Sequence, residues 1–342
     1  MLEVNLKDLV KNPYRAFELA NRLREELIGD RVTFVVNRNI NFSDVCINSC
    51  LFCSYRNRRN FILSHDEIKK KVKEAVDYGC TEVCIQGGLI PDAGVDFYAS
   101  ILKSVREVSG EIHIHAFSPM EIYHAARNDG VDVEDVLREL KREGLDSMPG
   151  TAAEILVDDI REIICPDKLK TQEWAEVVTT AHTLGIPTTA TMMYGHIDSW
   201  KDRFQHLKLL KQIQEETGGF TEFIPLPFMN KNNRLGEFAM PSNGFEDLLL
   251  IAIARIYLYP LIENVQASWV KMGKKLAQAS LYTGANDFGG TLLEENISKS
   301  AGATSGEFMS VEEIVESILS AKRVPAERDT LYNILRVYEG KI

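Results

Sequence analysis

A strand–helix alternation runs through almost the whole chain, and few folds can absorb it. Short apolar or β-branched runs stand at 31–36, 82–86, 111–117, 145–148, 187–193, 221–225, 263–267 and 284–288. Between them lie segments whose apolar residues recur at helical spacing, about 64–78, 95–108, 133–143, 174–184, 200–217, 245–259 and 274–281, with a closing helix over 311–321. Strands that return through a helix pair in parallel, and helices then cover the sheet. Eight such strands predict an α/β fold, a closed (β/α)8 barrel of the TIM type. Ahead of it, Ala16, Leu19, Leu23 and Leu27 keep helical spacing. The expected organisation is therefore an N-terminal helical extension over 1–30, then a single barrel over 31–342 that ends in C-terminal helices. No linker, low-complexity tract or repeat divides the chain.

The first predicted strand runs into Val45-Cys-Ile-Asn-Ser-Cys-Leu-Phe-Cys-Ser-Tyr55, which sets Cys46, Cys50 and Cys53 in C-x3-C-x2-C spacing. In a barrel of this kind the loops after the strands form the catalytic face. Three thiolates on one short loop can hold three corners of a cubane iron–sulfur cluster and leave the fourth iron open, whereas electron-transfer clusters usually have four protein ligands. A zinc site, which would need a fourth ligand, and a redox thiol pair are the other readings of the same spacing. Cys80, Cys84 and Cys165 lack ligand spacing and read as core or surface thiols.

The bulk properties narrow the classes. The 342 residues are normal for one barrel, and 45% hydrophobic residues suffice for a large core. No apolar run approaches the ~20 residues of a membrane span. A net charge of −11 disfavours nonspecific binding to nucleic acid or an anionic membrane. Six cysteines with a mixed, charged N-terminus and no secretory signal predict a reducing, cytoplasmic setting.

Other polar groups fall at predicted strand ends. Gln86-Gly87-Gly88 closes the second strand, where glycines let a ligand approach the backbone; a plain strand-to-loop turn has the same pattern. His113 and His115 alternate on a strand and so face one side. With Ser118 they read as a polar pocket wall, and a second metal would need a fuller ligand set. Glu154 follows the fourth strand, with Arg161 two helical turns on; an acidic helix start with a surface arginine is the plainer reading. Tyr194 and His196 follow the fifth strand and are catalytic candidates over the substrate, against a structural histidine. Glu222, Gln266, Ser268, Asn286 and Asp287 stand near later strand ends.

With Phe52 before its last cysteine, the loop resembles the signature of the radical S-adenosylmethionine (SAM) superfamily. That resemblance implies a 4Fe-4S cluster on Cys46, Cys50 and Cys53, with SAM bound to the open iron through its amino and carboxylate groups. One electron then cleaves SAM to methionine and a 5′-deoxyadenosyl radical. It also makes Tyr55, Gln86, Gly87, Gly88, Ser118, Glu154 and Arg161 cofactor-binding candidates. The Gln86–Gly88 edge would receive the SAM amino group, Glu154 the ribose hydroxyls and Arg161 the SAM carboxylate. Leu89 stands where the superfamily commonly has an acidic residue, which leaves the backbone carbonyls more of that work.

Within the superfamily, six stretches resemble the tyrosine-utilising subunit of FO synthase, from deazaflavin cofactor biosynthesis. They are 37–42 with the cysteine loop, 148–156, 190–196, 217–226, 266–273 and 284–292, and they span nearly the whole chain. The resemblance implies transfer of the 4-hydroxybenzyl group of L-tyrosine onto 5-amino-6-(D-ribitylamino)uracil. It thereby makes Glu222, Gln266, Ser268, Asn286 and Asp287, with His115, candidates for substrate hydrogen bonds. It further implies an electron donor and, as pathway partner, a separate ring-closing FO synthase subunit, because this chain has room for one barrel and one cysteine loop. The nearest alternative is a futalosine-pathway radical SAM enzyme of menaquinone synthesis, of the dehypoxanthine futalosine cyclase type. Such enzymes typically carry a glycine-rich run where this chain has Pro149-Gly-Thr-Ala152. A noncatalytic iron–sulfur or zinc protein on a barrel scaffold is the alternative from another class.

Overall fold

The computed structural model describes residues 6–339. Seven strands, β1 (Arg31–Val35), β2 (Asn37–Asn41), β3 (Glu82–Gln86), β4 (His113–Ala116), β5 (Thr188–Tyr194), β6 (Phe220–Pro227) and β7 (Asp287–Gly290), run parallel about one axis. Only Val36 separates β1 from β2, so the two form one stave. Parallel ladders join β7 to β1, β2 to β3, β3 to β4 and β5 to β6. Single parallel bridges complete the circuit: His115 to Ser147, Met148 to Thr188, Phe223 to Val265, and Gln266 to Asp287. The ring therefore closes on eight staves. Two of them, at 147–148 and 265–266, are reduced to a pair of bridging residues, at the places where the apolar runs predicted strands. β5, Thr188-Thr-Ala-Thr-Met-Met-Tyr194, is buried along its full length because helices cover its outer face and the lumen its inner one.

Local signals place the helices. Ser64 and Glu67 form a reciprocal capping box ahead of helix His65–Tyr78, which ends on Gly79 at φ +90°. Ile68, Val72 and Ala75 bury one face of it. A second capping box, Ser118 with Glu121, opens helix Pro119–Asp129, which the sequence reading did not anticipate. At the fourth stave the backbone comes so close to β5 that a Cβ on Gly150 would lie 1.8 Å from the Thr189 carbonyl oxygen. The N-terminal helices Leu6–Lys11 and Pro13–Ile28 pack on helix Gly244–Leu258, outside the barrel; residues 1–5 of the expected N-terminal extension lie outside the described residues.

The C-terminus differs from expectation. After helix Val311–Ser320 the chain forms β8 (Val324–Arg328), parallel to β1 along the edge away from β7, and β9 (Ile334–Val337), antiparallel to β8. Pro325 and two charged residues hide β8 from a propensity reading, and β9 is exposed throughout. The hairpin seals the N-terminal end of the barrel. Arg328 donates to Asp287 on β7 at 2.7 Å, and Thr330 donates to Glu82 on β3 at 2.8 Å. Among the described residues no helix is long and apolar enough to cross a membrane.

Candidate active site

Cys46, Cys50 and Cys53 lie on the loop after β2, at the C-terminal end of the barrel, and line one cavity of about 340 Å³. That volume falls in the range of small-molecule sites. The loop is held by its own chemistry. Asp44 accepts from the backbone N–H groups of Arg59, at 2.6 Å, and Phe61, at 2.9 Å. The Asn57 amide bridges the N–H and carbonyl of Cys46 at 3.0 and 3.3 Å. Beneath the loop, Cys50, Leu51 and Phe52 pack on a satellite core that includes Ile155, Ile164, Cys165 and Phe228. Leu51 N–H also bonds the carbonyl of Ile164, at 2.8 Å.

The donor set fits a cluster. Burial pushes the Cys50 thiol well above the ordinary thiol range, so in this dry setting a thiolate forms readily only against a bound cation. Asn48 is buried, and its Nδ2 finds no partner. The Tyr55 hydroxyl is likewise buried and unpaired. Both residues line the same cavity, so two polar atoms await a group there. No set of three or more His, Cys, Asp or Glu among the described residues is gathered as ligands to one ion; a cubane spreads its ligands over several irons and asks for wider spacing.

The strand edge beside the loop leaves no room for side chains. A Cβ on Gly88 would lie 2.2 Å from the Val45 carbonyl oxygen and 3.0 Å from Cys46 Cβ. A Cβ on Gly87 would meet the Phe42 ring at 2.6 Å. Gly87 N–H donates to Glu121 at 3.1 Å, and Glu121 also accepts from the Ser118 N–H and hydroxyl, each at 2.6 Å. Burial nevertheless pushes the Glu121 carboxyl up to about 7, against those donors. Gln86, Gly87, Gly88, Ser118 and Glu121 all line the cavity. The sequence reading missed Glu121, although the Ser-Pro-x-Glu capping pattern marks it.

Glu154 faces the cavity from the loop after the fourth stave, at φ +45°, and Ala152 stands at φ +60°. Phe117, at the end of the third stave, is left-handed too. Non-glycine residues in this region store strain, which gathers at functional sites. Lys168 completes the wall: its ammonium pairs with Glu154 at 2.5 Å and lies 5.4 Å from the centre of the Phe52 ring. Arg161 sits behind this loop. Its buried guanidinium donates to the carbonyls of Ala152, Ala153, Ile155 and Leu169 and does not line the cavity. The cation beside Glu154 is thus Lys168, which sequence spacing did not single out.

A second cavity, of about 200 Å³, fills the barrel lumen and shares Gln86, Thr151, Lys271 and Glu295 with the first. His115, Glu222, Gln266 and Ser268 line it. His113 and His115 both meet the Ser147 hydroxyl, at 2.7 Å each. Burial lowers His115 to about 4, so the ring is neutral. Glu222 accepts from Gln266 at 3.0 Å, and burial raises its carboxyl. Asn286 and Asp287 are engaged elsewhere. The Asn286 side chain joins Arg255, Asn264 and the Val265 N–H; Asp287 accepts from Thr33, Arg328 and the Gly289 N–H. Tyr194 and His196 lie outside both cavities. The Tyr194 hydroxyl donates to Asp247 at 2.9 Å, and His196 stands between Asp198 and the Met193 carbonyl.

A parallel barrel with three cysteines, a glycine edge and a strained carboxylate loop at one mouth defines a class: the chain is a radical SAM barrel. Residues 40–210 match the model of the Radical SAM superfamily, and residues 217–340 match that of the CofH/MqnC C-terminal region. Methylornithine synthase (PylB) has the same fold, with a TM-score of 0.74 at 18% identity over 94% of this chain and 93% of that one. The [FeFe]-hydrogenase maturase HydG gives 0.70 at 17% identity, over 95% of this chain and 71% of its own. A protein of Archaeoglobus fulgidus named 5-amino-6-(D-ribitylamino)uracil–L-tyrosine 4-hydroxyphenyl transferase is 70% identical over 335 residues, 98% of both chains. Proteins of the same name from Methanococcoides burtonii and Methanocaldococcus jannaschii are 56% and 54% identical, over 95% and 94% of this chain and 92% of each of theirs. The chain belongs to this transferase family.

Proposed function

We propose that the chain moves the 4-hydroxybenzyl group of L-tyrosine onto 5-amino-6-(D-ribitylamino)uracil in FO biosynthesis. The observation that carries this reading is the 70% identity, over 98% of both chains, to a transferase of that name. Cys46, Cys50 and Cys53 would hold a 4Fe-4S cluster, and SAM would lie along the Gly87–Gly88 edge, with its ribose toward Glu154. Bound there, cluster and SAM supply the electron and the 5′-deoxyadenosyl radical.

The protein's own part is placement. Gly88 lets SAM approach because no side chain stands over the loop. Tyr55 and Asn48 offer unpaired donors at the same wall. Lys168 fixes the Glu154 carboxylate and leaves one face of it for the ribose hydroxyls. His115, Glu222, Gln266 and Ser268 lie deeper, where a uracil edge and a ribityl chain need several hydrogen-bond partners. The lumen excludes water while the Cα–Cβ bond of tyrosine breaks, the hydroxybenzyl fragment adds to the diaminouracil, and the rest leaves as an imine of glyoxylate. An electron donor and a separate ring-closing enzyme complete the pathway.

An anaerobic reaction of reconstituted protein with SAM, ring-labelled tyrosine and the diaminouracil tests this. Mass spectrometry should find the label in an adduct with the diaminouracil, and finished FO only after the ring-closing enzyme is added. Label left wholly in tyrosine, with dehypoxanthine futalosine cyclised instead, would move the chain to menaquinone synthesis.

A further inference from the structure

Lys271 is the third residue of the short helix Trp269–Met272, just past the stave at 265–266. Its side chain lines the cluster cavity, the lumen cavity and a third cavity of about 300 Å³ bounded by Met229, Lys231, Asp247 and Met272. Among the described residues no other cationic side chain lines both the cluster cavity and the lumen. Among the same residues the Lys271 ammonium makes no hydrogen bond or ion pair, and its backbone N–H bonds to the Ser268 carbonyl.

The neighbouring charges are already committed. Glu154 is held by Lys168, and Glu295 accepts from the Asn39 amide at 2.6 Å and caps the Ser298 N–H at 2.7 Å. Lys168 and Arg328, the other cations of the cluster and lumen walls away from the cysteine loop, each have a carboxylate partner. Burial draws the Lys271 ammonium below the ordinary lysine range, against the pull of Glu295 and Glu154. A partly buried ammonium that faces three cavities without a partner is costly, so the site is suited to receive an anion.

Resting on the proposed reaction, we infer that Lys271 binds the α-carboxylate of the amino-acid substrate. The diaminouracil is uncharged, and the carboxylate is the anionic group that tyrosine brings. Docked at the junction, tyrosine has its α-carbon toward the cluster cavity and its ring toward the lumen. When the Cα–Cβ bond breaks, the carboxylate stays with the glyoxylate imine, so Lys271 keeps the discarded fragment at the junction while the hydroxybenzyl fragment lies in the lumen with the diaminouracil.

The test is equilibrium binding to anaerobically reconstituted protein with SAM and no reductant, using L-tyrosine and tyramine, its carboxylate-free counterpart. Lys271→Met should weaken tyrosine by about ten- to a hundredfold, the worth of a charged hydrogen bond. SAM and tyramine should bind as in the wild type, and Lys271→Arg should restore most of the tyrosine affinity. Unchanged tyrosine affinity in Lys271→Met overturns the inference. Weakened SAM binding instead would assign the lysine to the SAM carboxylate. Tyramine weakened as much as tyrosine would mean a structural role only. Wild-type protein that binds no tyrosine overturns the substrate reading itself, and this inference with it, before any variant is compared.

Discussion

At the scale of single residues, the pair Glu154–Lys168 would, in the proposed site, join stability to cofactor binding. Both side chains are largely buried, at 13% and 16% exposure, so removing one strands the other. Glu154→Ala should weaken SAM about ten- to a hundredfold and, by leaving Lys168 unpaired, destabilise the fold by about 3–5 kcal/mol. Adding Lys168→Met should recover most of the stability and none of the SAM affinity; calorimetry and thermal unfolding read the two effects separately. Glu121 gives a pH signature. Its carboxyl rises from 4.5 to about 7 on folding, so the folded chain takes up a proton across that window. The stabilisation is complete below about pH 4.5 and is lost as pH rises through about 7. In Glu121→Gln that part of the slope should vanish from unfolding curves taken between pH 4.5 and 7.5. That the cysteine loop and the glycine edge meet at one cavity was legible in the sequence, because each follows a predicted strand. Tyr194, His196 and Arg161 were not placed by it: spacing puts a residue at a strand end, but it does not say that Asp247, Asp198 or a ring of backbone carbonyls will already hold its polar atoms.

At the scale of elements, the staves were legible down to their bounds at β3 and within a few residues elsewhere. The exception is β2, which leads into the cysteine loop and was not read as strand, because Asn37-Arg-Asn-Ile-Asn41 has little strand propensity of its own. Even the two-residue staves at 147–148 and 265–266 declared themselves as apolar runs. Helix Pro119–Asp129 did not, since Pro119 reads as a breaker when it is in fact the first residue of a capped helix. Gly88 ties element to site. Alanine there would drive Cβ into the Val45 carbonyl at 2.2 Å, and the cysteine loop, held to other loops by bonds such as Ile47 N–H to the Leu89 carbonyl and Ser49 N–H to Asp167, is what can yield. Gly88→Ala should therefore lose most of its iron after reconstitution while its circular dichroism stays that of the wild type. Normal iron content in that variant would mean that the edge and the loop are independent.

At the scale of the whole molecule, the barrel is sealed by its last strands. Arg328 and Asp287 are 2% and 0% exposed, and Glu222 lies 3.8 Å from the same guanidinium. Arg328→Met should cost about 3–5 kcal/mol in urea unfolding, because two buried carboxylates lose their cation. The sequence reading ended the fold in helices and so missed this seal: β8 has little strand character of its own and exists because β1 offers it an edge. That arrangement has a consequence for how the protein is made. β1 emerges from the ribosome well before its partners, since β7 and β8 are translated some 250 and 290 positions later. At the usual pace of synthesis, about 5–20 residues per second, the first strand waits tens of seconds with both edges bare. The cysteine loop, made just after it, waits for its wall in stages, with Lys168 some 120 and Lys271 some 220 positions after Cys50. Iron delivered during that interval would meet three thiols in open water, so on the proposed reading a cluster would be built only once Arg328 has reached Asp287.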